Sequence, residues 1–393
     1  MTYRLFESGG SGPRIVVVAG ESSGDLLGAQ LITALKAHYP NARFAGIAGP
    51  KMLAAGARTV VDMDSLAVRG YVEVIRHLPR LLRLRRKLKA AIRAERPDLV
   101  IGIDAPDFNL NLEAAAKRVG IPAVHYVGPS VWAWRPERLK KIAKAVSHVL
   151  LLFPFEPQLY QQAGIPATYV GHPLADMMPL VPNQDEIRET LDIPPGKTVF
   201  ALLPGSRQSE LALHAELFIK TAQELYERYP NAIFLVPLIT RETRLQFETE
   251  MWRLGAQELP FRLLFGHAHD AMQSADAILV ASGTAALEAM LAKRPTLVTY
   301  RLTGMTYRMV KKKLRLPYVS LPNVLEGQFL VPELLQHDAT VDNLVQVLSN
   351  FISDKRYAAE LSARFATHHD ALRCGAAVRA AEAVAGVLGQ RWA

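Results

Sequence analysis

Three short glycine turns in this sequence each follow an apolar run and lead into a helical one. They are Ala19-Gly20-Glu21-Ser22-Ser23-Gly24-Asp25, Pro204-Gly205-Ser206-Arg207 and Ser282-Gly283-Thr284-Ala285-Ala286-Leu287-Glu288. At the third, Ala277 to Ala281 reads as a buried parallel strand and Ala289 to Ala292 as helix. A helix opening there presents unpaired N–H groups and the positive end of its dipole, which suits a diphosphate. Glu288 follows about one turn in, acidic where a sugar's hydroxyls would lie beyond a bound phosphate. Alone, this turn is better read as an ordinary strand-to-helix connection with a Ser/Thr cap. The second turn changes that reading, because its strand delivers Arg207, and a guanidinium grips a diphosphate in a bidentate way.

Asp104 is the best-placed candidate for proton chemistry. It ends the strand Leu99 to Ile103, at the sheet edge where folds of this kind bind ligands. Asp107 stands nearer the following helix and is the better cap candidate, which leaves Asp104 for general base work. His125 lies inside a strand and reads as a satisfied core histidine, while His172 is ambiguous. Trp132-Ala133-Trp134 fits either core packing or a wall of the site. Asp62-Met63-Asp64 matches the D-x-D that some glycosyltransferases use for a metal, but three residues make a cheap coincidence. No histidine–carboxylate spacing suggests a metal site, and no metal or cofactor is expected. None of the turns matches the dinucleotide fingerprint or the P-loop, which disfavours dehydrogenases and NTPases.

The elements that position these residues alternate strand and helix. Strands are read at Arg14 to Val18, Asp98 to Ile103, Pro122 to Val127 and Val149 to Phe153, then at Thr198 to Leu203, Ala232 to Val236, Ile278 to Val280 and Thr296 to Thr299. Helices are read between them, including Leu26 to His38 and Phe108 to Val119, the latter closed by Gly120. Two α/β halves follow, each a Rossmann-like doubly wound sheet, facing a central cleft. The boundaries are a flexible extension over 1–13, an N-terminal domain over 14–172, a proline-rich linker over 173–197, a C-terminal domain over 198–357, and a helical tail over 358–393 that packs back on the first domain.

Composition narrows the partners. The chain has 393 residues, half of them hydrophobic, and 46 Lys+Arg against 37 Asp+Glu give a net charge of +9. That balance suits anionic partners. The single cysteine, Cys374, rules out an internal disulfide and fits a reducing cytoplasm. No apolar run reaches 18 residues, so no membrane span is expected, and the start lacks the apolar region of a signal peptide. The stretch Arg76 to Arg96 carries nine basic residues, with Leu78, Leu81, Leu84, Leu88 and Ile92 at helical spacing. Pro79 suits a helix's first turn. Val68, Tyr71, Val72, Val74 and Ile75 add an apolar cluster upstream. Such a helix can lie on an anionic membrane, with Val72, Ile75, Leu78, Leu81 and Leu82 as contacts; a solvated helix packing its leucines inward fits the pattern equally. The aromatic–basic interleaving of a nucleic-acid module is missing, so no nucleic-acid partner is expected.

Together the three turns, Gly102 to Asn109, His125 to Trp134 and Ser320-Leu321-Pro322-Asn323 closely resemble the lipid-A-disaccharide synthase family, in the family's order from about Ile15 to Gln336. The tryptophan motif and Ile103 to Asn109 are the specific parts; many two-domain (GT-B type) glycosyltransferases share the Ser282 turn. The resemblance implies inverting transfer from UDP-2,3-diacylglucosamine to 2,3-diacylglucosamine 1-phosphate, releasing UDP and forming a β-1′,6 link. It implies a peripheral enzyme on the inner face of the cytoplasmic membrane in Gram-negative bacteria, and leaves a homodimer open. Asp104 is then the base, Ser206, Arg207, Ser282, Gly283, Thr284 and Ala285 hold the diphosphate, and Glu288 holds the uridine ribose. Glu21, Ser22, Gly24 and Asp25 line the acceptor side, and Asn323 is a site residue by resemblance only. Gly128 stands where the family leads one to expect serine. A UDP-N-acetylglucosamine 2-epimerase would share the layout and the diphosphate turn while acting on a free UDP-sugar.

Overall fold

A computed structural model describes residues 3–7, 9–66, 71–133, 136–281, 283–304, 307 and 316–392. The chain forms two compact units, Met1–Asp176 together with Leu372–Ala393, and Met177–Ala371. Each is built on a parallel sheet.

In the first unit the strands are β1 (Arg14–Ala19), β2 (Arg43–Ala48), β3 (Ala57–Asp62), β4 (Leu99–Ile103), β5 (Ala123–Tyr126), β6 (His148–Leu151) and β7 (Ala167–Tyr169). They lie in the order β3-β2-β1-β4-β5-β6-β7, all parallel. Helices cover both faces, so β1 from Ile15 on and the whole of β4 are apolar and buried. The second unit repeats the plan with β8 (Thr198–Leu203), β9 (Ala232–Leu238), β10 (Phe261–Phe265), β11 (Ala277–Ala281), β12 (Thr296–Tyr300) and β13 (Glu333–Leu335), ordered β10-β9-β8-β11-β12-β13. The order reverses between β1 and β4 in one sheet and between β8 and β11 in the other. Doubly wound sheets bind ligands outside the carboxyl ends of the strands at that reversal.

Several segments differ from the sequence reading. The leading residues are anchored: Leu5 and Phe6 are buried, and their amides donate to the Glu95 carboxylate at 2.7 and 2.9 Å. The Gly/Ser run after them hid this apolar pair. The stretch 173–197 holds two helices, Pro173–Met177 and Gln184–Thr190, and the second is tied to the second unit through Arg188 and Asp276 at 3.0 Å. Of the two C-terminal helices, Lys355–Leu372 falls almost wholly in the second unit. The last, Ala376–Trp392, packs Ala380, Ala381, Val384 and Leu388 into the same core as Leu31 and Leu35 of helix Ser22–His38. Asp176 starts that last helix by accepting from the amides of Gly375 and Ala376 at 2.9 and 2.6 Å.

The basic helix runs Tyr71–Glu95, so Pro79 sits inside it rather than in its first turn. Leu84, Leu88 and Ile92 face the core, whereas Leu78 and Leu82, one turn apart, are each 44% exposed. Leu81 is half-buried. Val68 and the side chains of Tyr71, Val72, Val74 and Ile75 lie outside what the structure describes.

Candidate active site

In the first unit the reversal is flanked by two turns. β1 runs into Gly20 and then Glu21, which occupies the cap position of helix Ser22–His38 in an extended conformation. Glu21 is half-buried and Ser22 exposed. Gly24 and Asp25 are buried, and the Asp25 carboxylate is engaged by the amides of Lys51 and Met52 at 2.9 and 3.0 Å. It therefore starts helix Pro50–Ala54. A side chain at Gly20 would come within 3.3 Å of Ala105 Cβ, so this turn lies directly against the exit of β4.

That exit carries backbone strain. Asp104 and Ala105 adopt φ of 50° and 44°, and Val127, just past β5, adopts 76°. Left-handed conformations are uncommon outside glycine, most of all for a β-branched residue, and they gather at functional sites. The amide of Asn109 holds the turn, donating to the carbonyls of Asp104 at 2.8 Å and of Ile103 and Val18 at 3.3 Å. Asp104's own amide donates to Tyr126 at 2.8 Å. Asp104 is half-exposed at the strand end. The expected Asp107 cap is not made: Ala105 takes the cap position, no side chain caps helix Pro106–Lys117, and Asp107 reaches outward to Arg138 at 2.9 Å.

Behind Asp104, His125 Nδ1 and Glu113 Oε1 lie 2.7 Å apart with both side chains fully buried. His125 is thus a paired core histidine. Burial presses hardest on its charged form, yet the Glu113 carboxylate and the charge of Asp104 together hold its pKa above the usual value. Burial raises Glu113, with His125 opposing.

In the second unit the other two turns leave adjacent strands, since β8 pairs with β11 from Phe200–Ala277 to Leu203–Val280. Gly205 has φ +132°, and a side chain there would meet Glu210 Cβ at 2.5 Å. Glu210 accepts from the amides of Ser206 and Arg207 at 2.9 and 3.3 Å, which shapes the loop and sets Arg207 at the cap of helix Gln208–Arg228. His214 braces Glu210 from below: its Nδ1 lies 2.7 Å from the Glu210 carbonyl, and its Nε2 accepts from the Arg301 amide at 2.9 Å. Arg207 is about half exposed. Gly283, at φ +131°, precedes helix Thr284–Leu291, which no side chain caps. Thr284 is exposed, Ala285 half-buried, and Ser282 lies outside the described residues. Glu288 points back toward His269, 3.4 Å away, and this contact raises the His269 pKa against burial. Glu210, His214 and His269 escaped the sequence reading; only a fourth glycine turn, at Gly266 with φ +76°, marked the last of them.

Asn323, also in the second unit, is fully buried and fully engaged. Its side-chain amide donates to Val331 and Glu333, and its oxygen accepts from Leu330 and Val331, which shapes the loop between helix Leu321–Glu326 and β13. In the first unit Trp132 packs edge-on to Phe155 at 5.3 Å, and Phe155 stacks on Phe153; Trp134 lies outside the described residues. Beneath them Glu156 is buried, which pushes its carboxyl up to about 7. Gly128 leaves room for this cluster, since a side chain there would meet Leu151 at 2.7 Å and Tyr160 at 2.9 Å. His172 is buried, its pKa lowered to about 4 by burial. Among the described residues no group of three His, Cys, Asp or Glu is arranged to hold a metal.

Comparison with known proteins bears on the family and the fold. The family model described as lipid-A-disaccharide synthetase matches residues 15–384. A lipid-A-disaccharide synthase from Methylobacillus flagellatus is 54% identical over 372 residues, covering 95% of this chain and 98% of the relative. Another from Haemophilus influenzae strain Rd is 48% identical over 380 residues, covering 96% and 97%. Among solved structures, a putative UDP-N-acetylglucosamine 2-epimerase from Listeria monocytogenes aligns with a TM-score of 0.66 over 97% of this chain and 96% of its own. At 12% identity that likeness shows the fold alone.

Proposed function

The chain belongs to the lipid-A-disaccharide synthetase family, and from that premise we propose how its own residues carry out the reaction. It is a GT-B type glycosyltransferase of lipid A biosynthesis, joining UDP-2,3-diacylglucosamine to 2,3-diacylglucosamine 1-phosphate and releasing UDP. The leaving group is a diphosphate, so the reaction needs donors fixed in advance where negative charge develops. Arg207 and the helix start at Gly283, Thr284 and Ala285, with Ser206 beside them, fill that need, and Glu288 takes the ribose hydroxyls. On the acceptor side Asp104 removes the proton of the attacking hydroxyl as the sugar's anomeric centre inverts. Glu21 and Ser22 stand at the neighbouring turn for acceptor contacts, while Gly24 and Asp25 keep that turn in place.

The observation that carries this reading is the emergence of Arg207 and the Gly283–Glu288 turn from adjacent parallel strands at the sheet reversal. The test is to supply diacylated donor and acceptor in detergent with excess EDTA, and separately UDP-N-acetylglucosamine alone. Disaccharide 1-phosphate and UDP are expected from the first and no epimer from the second. A complete loss in EDTA that magnesium or manganese restores would bring Asp62-Met63-Asp64 into the mechanism.

Attachment to an anionic membrane surface on the cytoplasmic side is part of the same proposal. Among the described residues no helix is long and apolar enough to cross a membrane. Leu78 and Leu82 stand exposed together on a helix rich in Arg and Lys, and the substrates carry acyl chains. Leu81 is the half-buried neighbour, and Val72 and Ile75 extend the same apolar stretch in sequence. Leu78→Ser with Leu82→Ser is expected to lower co-sedimentation with phosphatidylglycerol vesicles severalfold while leaving turnover on detergent-dispersed substrate unchanged. Unchanged sedimentation would move the attachment elsewhere, with Lys311-Lys312-Lys313, outside the described residues, as the next candidate.

A further inference from the structure

The pair behind Asp104 has features that packing alone does not require. Gly102 of β4 is the register partner of His125 of β5, and a side chain at Gly102 would come within 2.1 Å of Glu113 Oε1. Glycine at that position therefore makes room for a carboxylate inside the fold. Buried ion pairs are costly to desolvate, and well-packed apolar residues often serve stability as well or better. Here Glu113 Oε2, His125 Nε2 and Asn109 Oδ1 are buried with no hydrogen-bond partner among the described residues. A cluster optimised only for stability would not keep three unsatisfied polar atoms.

The placement of the cluster relates all three side chains to one residue. Glu113 and Asn109 lie on the helix that opens at Pro106, just after Asp104. His125 precedes Tyr126, whose carbonyl accepts the Asp104 amide. Glu113 Oε1 itself packs against Gly102, two residues before Asp104.

We propose that His125 and Glu113 are positioning residues for Asp104, a buried pair that braces the left-handed turn and so keeps the Asp104 carboxylate aimed as the acceptor binds. Glu113 orients the imidazole from 2.7 Å, and Asn109 fixes the left-handed turn through the Asp104 carbonyl at 2.8 Å. No proton leaves the pair during transfer; its role is to set the aim of the base.

This inference rests on Asp104 being the base, and a double-mutant cycle separates the two claims. His125→Gln is expected to lower kcat roughly tenfold, the scale of one lost charged interaction. The KM for both substrates and the affinity for UDP should stay unchanged. In an Asp104→Asn background the same substitution should cost almost nothing, because the group it serves is gone. Near-normal turnover of Asp104→Asn alone would overturn the base assignment. A normal loss in Asp104→Asn, with His125→Gln still costing its full factor on top, would overturn this inference and leave the pair structural. A rise in KM in place of a fall in kcat would also overturn it. If His125→Gln does not fold, Glu113→Gln answers the same question: it keeps the imidazole, and its kcat loss must likewise vanish in the Asp104→Asn background.

Discussion

Asp104→Asn is expected to slow single-turnover product formation by roughly 10²–10⁴-fold, the usual contribution of a positioned base, while UDP binds as before. The substitution isolates basicity. Asp104 sits at φ 50°, a conformation that asparagine, like aspartate, adopts more readily than other side chains. The turn is held by contacts that asparagine does not disturb, since its backbone amide and carbonyl are engaged by Tyr126 and Asn109. An alanine there would add strain and confuse the outcome. Thermal melting and UDP affinity serve as controls. Near-normal turnover would remove Asp104 and turn attention to Glu21, because the Asp25 carboxylate is already taken by Lys51 and Met52. Loss of UDP binding or of melting temperature would make the role of Asp104 structural.

The elements that sequence patterning revealed are those buried on both faces. β1, β4, β8 and β11 are continuous apolar runs ended by glycine or proline turns, and no alternative periodicity competes with them. The unread strands are mostly at or near the sheet edges: β7 and β13 have three residues each, β3 and β10 are half-exposed, and β2, though buried, is broken by Gly46 among alanines. The anion turns were legible for a similar reason, because Gly205 and Gly283 occupy backbone conformations that other residues avoid. What patterning could not supply was the support behind each site. Glu113 reads as a polar helix position, and only the vacancy at Gly102 on a neighbouring strand shows that it points inward. Glu210 and His214 are likewise ordinary residues of a long amphipathic helix until the Ser206, Arg207 and Arg301 amides are seen to rest on them. Pro79 misled for the opposite reason: a local preference for helix starts was overridden by the helical residues before it.

Arg207→Ala and Glu288→Ala are each expected to weaken UDP binding by at least tenfold, the consequence of losing a charged hydrogen bond worth about 1.5–3 kcal/mol, with little change in melting temperature. Arg207 lies 3.8 Å from Glu210 on an accessible surface, a contact of little net value, and Gly205 and the Glu210 carboxylate shape the loop. Helix Thr284–Leu291 is fixed by Ala286, Leu287, Ala289, Met290 and Leu291, all buried. Glu288 turns the other way, toward His269. The two variants should then part company when UDP and uridine are compared by calorimetric titration. Arg207→Ala removes a diphosphate contact, so UDP should weaken while uridine, which has no phosphate, keeps its affinity. Glu288→Ala removes the ribose contact, so both ligands should weaken by a similar factor. Wild-type affinity for UDP in both variants would mean that the donor binds elsewhere. An equal loss of uridine in Arg207→Ala would mean that the arginine shapes the pocket and does not hold the diphosphate.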